Sequence, residues 1–405
     1  MTTTMGREVT LPGLAMAIAG CALRARPVPG VVSGGLLIIL AACASPAPIP
    51  AFIPPPTPEA AEQPNSGRTM GRASPLGPIP SACVRVLSID GGGIRGIIPT
   101  LVLAEIERRT GRPTAQLFDL IVGTSTGGIL ALGLSRPDPE APNRPAYTAQ
   151  DLVRLYEKEG EVIFPLRFGV LRSLWGFFGP KYSAKGLEAV LLKYFGDTRL
   201  GEALTLVEVP AYEIQERRHF FFRSHVHTFF MRDVARAATA APAYFPPTTL
   251  PIEPRFSAKG YVALIDGGVF ANNPAPYALA TASTVRPGSR DVLLVSLGTG
   301  AVPRPMPYER ARGWGLLGWS APLISLVFAD HGVDDAFRHV LPPGRYYRFQ
   351  VKPPAFQSPL DDASPGNVRA VKHLARQLIE ERSEELERLA RELQLERPAD
   401  CPARI

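Results

Sequence analysis

Cysteine is scarce. The 405-residue chain has four, Cys21, Cys43, Cys83 and Cys401. None makes a C-x-x-C pair, which argues against a zinc site and a dithiol redox motif. No block of like charge occurs, although the formal net charge is +7. A basic arm for nucleic acid is therefore not expected, and the mildly cationic surface suits either anionic lipid or plain solubility. Tryptophan is rarer still, with three. No internal repeat is visible. The apolar run "VVSGGLLIILAAC", Val31 to Cys43, is too short to span a bilayer.

That run has another form. Arg24 and Arg26 precede it, and a basic stretch followed by about a dozen apolar residues reads as a secretory signal. It ends in Leu40-Ala41-Ala42-Cys43, which resembles the lipobox of bacterial lipoproteins, whose cysteine is lipidated and becomes the new N-terminus. Cys21, after Ile18-Ala19-Gly20, also fits, but only Cys43 is followed by a Pro- and Ala-rich tether. The expected organisation is a signal segment over 1–43, a linker over 44–83, a catalytic domain over 84–351 and a C-terminal helical segment over 352–405 that packs on it. The expected location is outside the cytoplasm, as a membrane-anchored lipoprotein or a periplasmic or secreted protein. Cys83 and Cys401 stand at the two ends of the folded region, and an oxidising compartment would allow them to pair.

From Val84 onward, short apolar runs alternate with helical patterns. "VRVLSID", "FDLIVG", "TLVEVPAYEI", "HFFFRS", "YVALID" and "DVLLVSLGTG" read as strands. "IRGIIPTLVLAEIERRTG" reads as a helix that either starts late, near Ile98, or kinks at Pro99, and stops at Gly111; "GGILALGLS" and "MRDVARAATA" read as two more. Val368, Val371, Ala375, Leu378, Ile379, Leu386, Leu389 and Leu393 recur at helical spacing near the C-terminus. The fold class is α/β, in three α/β/α layers around a largely parallel sheet. Functional groups are expected at the C-terminal ends of strands, where Asp90, Ser125 and Asp266 all fall.

Two glycine motifs carry the chemistry. Gly91-Gly92-Gly93-Ile94-Arg95-Gly96 follows a strand and precedes a helix. A dinucleotide loop has this form, but it needs an acidic residue at the end of the next strand; Asp119 stands at a strand's start. The other use is electrostatic: backbone amides converging at a helix N-terminus stabilise the oxyanion of an ester under attack. Gly123-Thr124-Ser125-Thr126-Gly127 is G-x-S-x-G between an apolar strand and an apolar helix, the form of a nucleophile elbow. A plain N-cap serine is the alternative. The base for Ser125 is either a histidine, with His331 and His339 in the order of an α/β-hydrolase, or Asp266. Asp266 ends a strand and is followed by Gly267-Gly268, whereas neither histidine lies in a glycine turn after a strand.

Asp90-Gly-Gly-Gly-Ile-Arg-Gly96, Gly123-Thr-Ser-Thr-Gly127 and Asp266-Gly-Gly268 together resemble the three signatures of the patatin-like phospholipases. "ARAATAAPAYFPP", "DGGVFANNPAPYAL" and "LLVSLGTG" fit the same pattern, and the resemblance runs from about Val84 to Val351. It implies a lipid acyl hydrolase of phospholipase A type that forms an acyl-serine. Ser125 would be the nucleophile and Asp266 the base, with the glycines of the 91–93 turn as oxyanion donors and Arg95 supporting that loop. It implies no metal and no cofactor. The expected partners are a lipid or acyl-ester substrate and a membrane surface, with no nucleic acid. Trp175, Trp314 and Trp319 fall in two glycine-punctuated apolar stretches, read either as lipid-facing loops or as inserted helices packed on the core. A His-assisted esterase and an inactive, membrane-tethered lipid-binding protein remain the competing readings.

Overall fold

The computed structural model describes residues 82–398 and 401, apart from 166–178, 255, 286–290, 301–305, 316–317, 320–321, 324–325, 327–332 and 353–358. The described residues belong to one compact unit, Ala73–Ile405. Cys21, Cys43, the signal-like run, almost all of the linker, Trp175 and His331 lie outside them. None of their helices is long and apolar enough to cross a membrane.

Among the described residues eight strands form one sheet: β1 (Val84–Ile89), β2 (Leu120–Gly123), β3 (Leu206–Glu213), β4 (Arg218–Arg223), β5 (Thr248–Pro251), β6 (Tyr261–Asp266), β7 (Val292–Leu297) and β8 (Tyr346–Phe349). Their order is β5-β6-β3-β2-β1-β7-β8, with β4 paired to β3. β3, β2, β1, β7 and β8 run parallel. Parallel strands inside a layered fold are covered on both faces, and β1 and β7, mostly apolar, are buried from end to end.

Side chains alternate across each strand, so the sheet has two cores. Val84, Val86, Leu120, Val122 and Leu294 face helix α6 (Ala275–Val285) and Phe337 of α7 (Val333–Val340). Leu87, Ile89, Ile121, Leu293 and Val295 face a larger core. That core is completed by α1 (Ile97–Thr110), α2 (Thr126–Ser135), α3 (Ala149–Ile163), α4 (Ala184–Phe195) and α5 (Met231–Ala238), with α8 (Pro365–Glu381) and α9 (Ser383–Gln394). Helix, sheet and helix make the three layers.

Pro99 is the third residue of α1, where its missing amide breaks no intrahelical bond. A single 3₁₀ turn, Gly93–Gly96, fills the interval before it. The C-terminal segment is a helix pair that breaks at Arg382. Seven of its eight periodic apolar residues are buried and Ile379 is partly so. Cys83 and Cys401 are joined by a disulfide with Cα atoms 5.3 Å apart. Beside it the Arg85 guanidinium donates to the carbonyls of Leu393 and Leu395, each at 2.7 Å, and caps the end of α9. Trp314 and Trp319 are half-buried and pack edge to face with centroids 5.2 Å apart.

One strand departs from the parallel pattern in a way that matters. β6 is antiparallel to β3, as β4 is, and β5 is antiparallel to β6. Asp266 does end its strand, as the sequence predicts, but that strand lies outside the parallel part of the sheet. Glu208 of β3 pairs with both β2 and β4, while Ala211, Tyr212 and Glu213 pair with both β4 and β6. A strand has two edges, so β2 and β6 share one edge of β3 and β4 has the other. β2 runs up that edge as far as Val122, opposite Glu208, and β6 runs down it to Asp266, opposite Ala211. Their C-terminal ends meet head on across the interval from Glu208 to Ala211 of β3, roughly 10 Å of strand.

Candidate active site

The turn after β2 closes most of that gap. Ser125 has φ 54° and ψ −119°, backbone that a residue with a side chain seldom adopts. Its surroundings hold it there. The amides of Gly128 and Ile129 bond back to its carbonyl at 2.9 and 3.2 Å, and the Thr124 hydroxyl donates to the Ala271 carbonyl at 2.6 Å. The flanking glycines are needed because backbones touch: a Cβ on Gly123 would lie 2.0 Å from the Gly127 carbonyl oxygen, and one on Gly127 2.3 Å from that of Ile89. Ser125 sits at the N-cap position of α2, yet its hydroxyl caps nothing. It donates instead to Asp266 Oδ2 at 2.6 Å.

Asp266 is fully buried. Burial is the main influence on its carboxyl, pushing it from 3.8 up to about 7; hydrogen bonds from Ser125 and from the Gly268 amide, which reaches Oδ1 at 2.7 Å, pull the other way. Gly267 lies against β3, where a Cβ would fall 2.4 Å from the Pro210 carbonyl oxygen.

The glycine loop arches beside this pair. Thr299 donates to the Gly91 carbonyl at 2.6 Å, and Arg95 Nε reaches the Gly92 carbonyl at 3.4 Å while its Nη1 reaches that of Gly300 at 3.3 Å. Gly93 has φ +57° and presses on Leu360, whose carbonyl accepts from the Ile94 amide at 2.8 Å. Gly96 leaves room for Thr126 Oγ1 and the Tyr156 hydroxyl, which are 2.5 Å apart. One expectation is corrected here. The Gly91 amide is engaged by the Asn272 carbonyl at 2.9 Å, so it is not an oxyanion donor. Among the described residues the amides of Gly92 and Gly93 have no acceptor.

Beneath the loop lies a pair that sequence reasoning missed. Arg348 of β8 reaches across β7 and forms two hydrogen bonds to Asp90, at 3.0 and 2.6 Å, and a third to Ser296 Oγ at 2.8 Å. Asp90 and Arg348 are each only 2% exposed, so each charge depends on the other. Nothing local in "YYRF" signals this. Thr299 and Asn272, by contrast, lie within the quoted stretches "LLVSLGTG" and "DGGVFANNPAPYAL".

Ser125, Asp266 and the loop open onto one cavity, walled by apolar side chains that include Ile129, Leu155, Ile163, Phe164, Leu187 and Phe245. No histidine is among its described lining residues. His219 is stacked on Phe270 with ring centroids 3.9 Å apart, and His227 accepts the Arg223 amide through Nδ1. His339 is exposed on α7.

Comparison with known proteins follows the same three motifs. A patatin-like phospholipase family model matches residues 87–279, which hold the glycine loop, the elbow and the Asp266 turn. Patatin-like protein 2 of Arabidopsis thaliana is 33% identical over 309 residues, covering 66% of this chain and 75% of the relative. Patatin-T5 of Solanum tuberosum is 30% identical over 331 residues, covering 73% and 83%. Among solved structures, human GIVD cytosolic phospholipase A2 aligns with a TM-score of 0.42 at 12% identity, over 77% of this chain and 60% of that one, too distant to add support. Motif order, the family model and relatives matched over most of their length agree: the chain belongs to the patatin-like phospholipase family.

Proposed function

We propose that this chain is a lipid acyl hydrolase in which Asp266 is the sole general base for Ser125. The observation that carries the reading is the 2.6 Å hydrogen bond from Ser125 Oγ to a fully buried carboxylate. A solvated aspartate is too weak a base to draw a proton from a hydroxyl. One whose carboxyl titrates at about 7 is matched to neutral pH. As Oγ attacks the acyl carbonyl, its proton passes to Asp266 Oδ2 and the carbonyl oxygen becomes an alkoxide. The Gly92 and Gly93 amides stabilise that charge. Asp266 then returns the proton to the departing alcohol oxygen, leaving the acyl group on Ser125. Water repeats the sequence with the same base and releases the acid. The apolar cavity walls favour a long acyl chain, which supports a phospholipid or related acyl lipid as substrate.

The test is turnover of phospholipid vesicles together with labelling by a fluorophosphonate. Ser125→Ala removes labelling. Asp266→Asn lowers kcat by roughly 10⁴-fold, as losing a buried triad carboxylate does elsewhere. His331→Ala and His339→Ala keep turnover. A folded histidine variant that loses turnover, or an Asp266→Asn protein that retains it, ends the dyad reading.

The chain also reads as an exported lipoprotein anchored through Cys43. The lipobox-like Leu40-Ala41-Ala42-Cys43 and the Cys83–Cys401 disulfide, a bond of oxidising compartments, support this. Metabolic labelling with a palmitate analogue checks it; label that persists in Cys43→Ser but not in Cys21→Ser moves the anchor to Cys21.

A further inference from the structure

The turn after Asp266 carries two asparagines in succession, and the fold places them differently. Asn273 Oδ1 accepts the Ala275 amide at 3.1 Å and caps the start of α6. Asn272 faces the reaction space instead. Its backbone carbonyl holds the Gly91 amide, and the residue lines the cavity with Ser125, Asp266, Gly92 and Gly93.

The glycine at 91 shows where that side chain stands. A Cβ there would lie 2.5 Å from Asn272 Oδ1 and 3.4 Å from Ser125 Cβ. The open side of Gly91 is thus shared by the Asn272 amide and the Ser125 side chain, with Asn272 Oδ1 and Ser125 Cβ at most about 6 Å apart by those contacts. An ester carbonyl joined to Ser125 Oγ lies in the same cavity, which Asn272 also lines. Two anchors fix the amide there. The Gly91–Asn272 backbone bond joins the turn to the glycine loop, and Thr124 bonded to the Ala271 carbonyl joins it to the elbow.

We propose that Asn272 is a catalytic residue: its side-chain amide donates, through Nδ2, to the alkoxide that forms when Ser125 attacks, as a third donor beside Gly92 and Gly93. The proposal rests on the Ser125–Asp266 reading. An amide nitrogen carries two N–H donors, so Nδ2 can keep one partner and still donate to a developing negative charge. A side chain is suited to this because Gly91, the remaining amide of the turn, is already engaged.

Asn272→Leu keeps the size of the side chain without its donor, and Asn272→Ala removes it. Each lowers kcat for a long-chain ester by about 10²–10³-fold, the loss seen when one oxyanion donor is deleted, and leaves KM within about threefold. A long-chain alkyl trifluoromethyl ketone adds Ser125 to form a tetrahedral oxyanion, and its Ki rises in step with the fall in kcat. Affinity for an ether lipid, which has no carbonyl to ionise, stays the same. Equal weakening of both inhibitors shows a displaced pocket and overturns the proposal, as does kcat within about fivefold of the parent. Should the variants unfold, a structure of the unmodified protein with the ketone decides. Nδ2 within about 3.2 Å of the oxyanion supports the proposal; contact by Gly92 and Gly93 alone overturns it. Full turnover in Asp266→Asn sinks the dyad and the proposal together, whereas full turnover in Asn272→Leu alone sinks only the proposal.

Discussion

Replacing Asp266 by asparagine separates its two roles, as base and as a buried charge, through their opposite responses to pH. In the unfolded chain the carboxyl titrates near 3.8; in the folded protein burial holds it at about 7. The folded state therefore binds the proton more tightly. Stability linked to that proton is fully present below about pH 3.8 and is lost as pH rises through about 7. The difference of about three pH units corresponds to about 4 kcal/mol, with no discount for solvent because the group is fully buried. The substituted amide has no charge to bury, so Asp266→Asn gains on the parent by about that amount between pH 4 and pH 8. Catalysis runs the other way. The base must be ionised, so kcat/KM of the parent climbs about tenfold per pH unit up to about 7 and then levels off. Urea unfolding of both proteins across the range, beside the pH profile of esterase activity, reads both effects. A stability difference that stays flat from pH 4 to 8 refutes the burial argument. Activity that is already level at pH 5 refutes the raised base.

Three further outcomes follow from the geometry. Ser125→Gly should be more stable than Ser125→Ala by about 1–2 kcal/mol in thermal unfolding, because only the alanine keeps a Cβ at φ 54°; equal midpoints would mean the elbow is unstrained. Arg348→Met strands the buried Asp90 carboxylate and should cost about 3–5 kcal/mol in urea unfolding, most of it recovered when Asp90→Asn is added; a double variant no better than the single one would deny the pairing. Reductant should lower the unfolding free energy by about 3–5 kcal/mol through loss of Cys83–Cys401, and an unmoved midpoint would show the bond contributes nothing.

Much of the architecture was legible because buried strands announce themselves. "VRVLSI", "LIVG" and "VLLVSL" are mostly apolar, and each ends near a glycine turn. β5 and β8 escaped because four residues, one of them proline or arginine, make no pattern. α3 and α4 went unread although their starts are marked: Thr148 with Asp151 forms a capping box, and Ser183 caps α4. Strand direction was not legible at all, since a buried run looks the same whichever way it is threaded. Nor were Arg348 on Asp90 or the Asn272 carbonyl on Gly91, contacts between segments 258 and 181 residues apart.

The reversal of β6 also explains a residue that would otherwise argue against β3 as an inner strand. Pro210 has no amide to donate, and proline is normally confined to sheet edges. In β3 it falls between Glu208, the last partner of β2, and Ala211, the partner of Asp266. Its carbonyl points toward Gly267, hence toward the edge that β2 and β6 share, and in a strand the amide of a residue points the same way as its carbonyl. The missing donor therefore faces the gap where neither strand supplies an acceptor. That gap is the one the Ser125 turn enters. The proline, the antiparallel strand and the short Ser125–Asp266 contact have one cause: two strands ending tip to tip along a third that is longer than either.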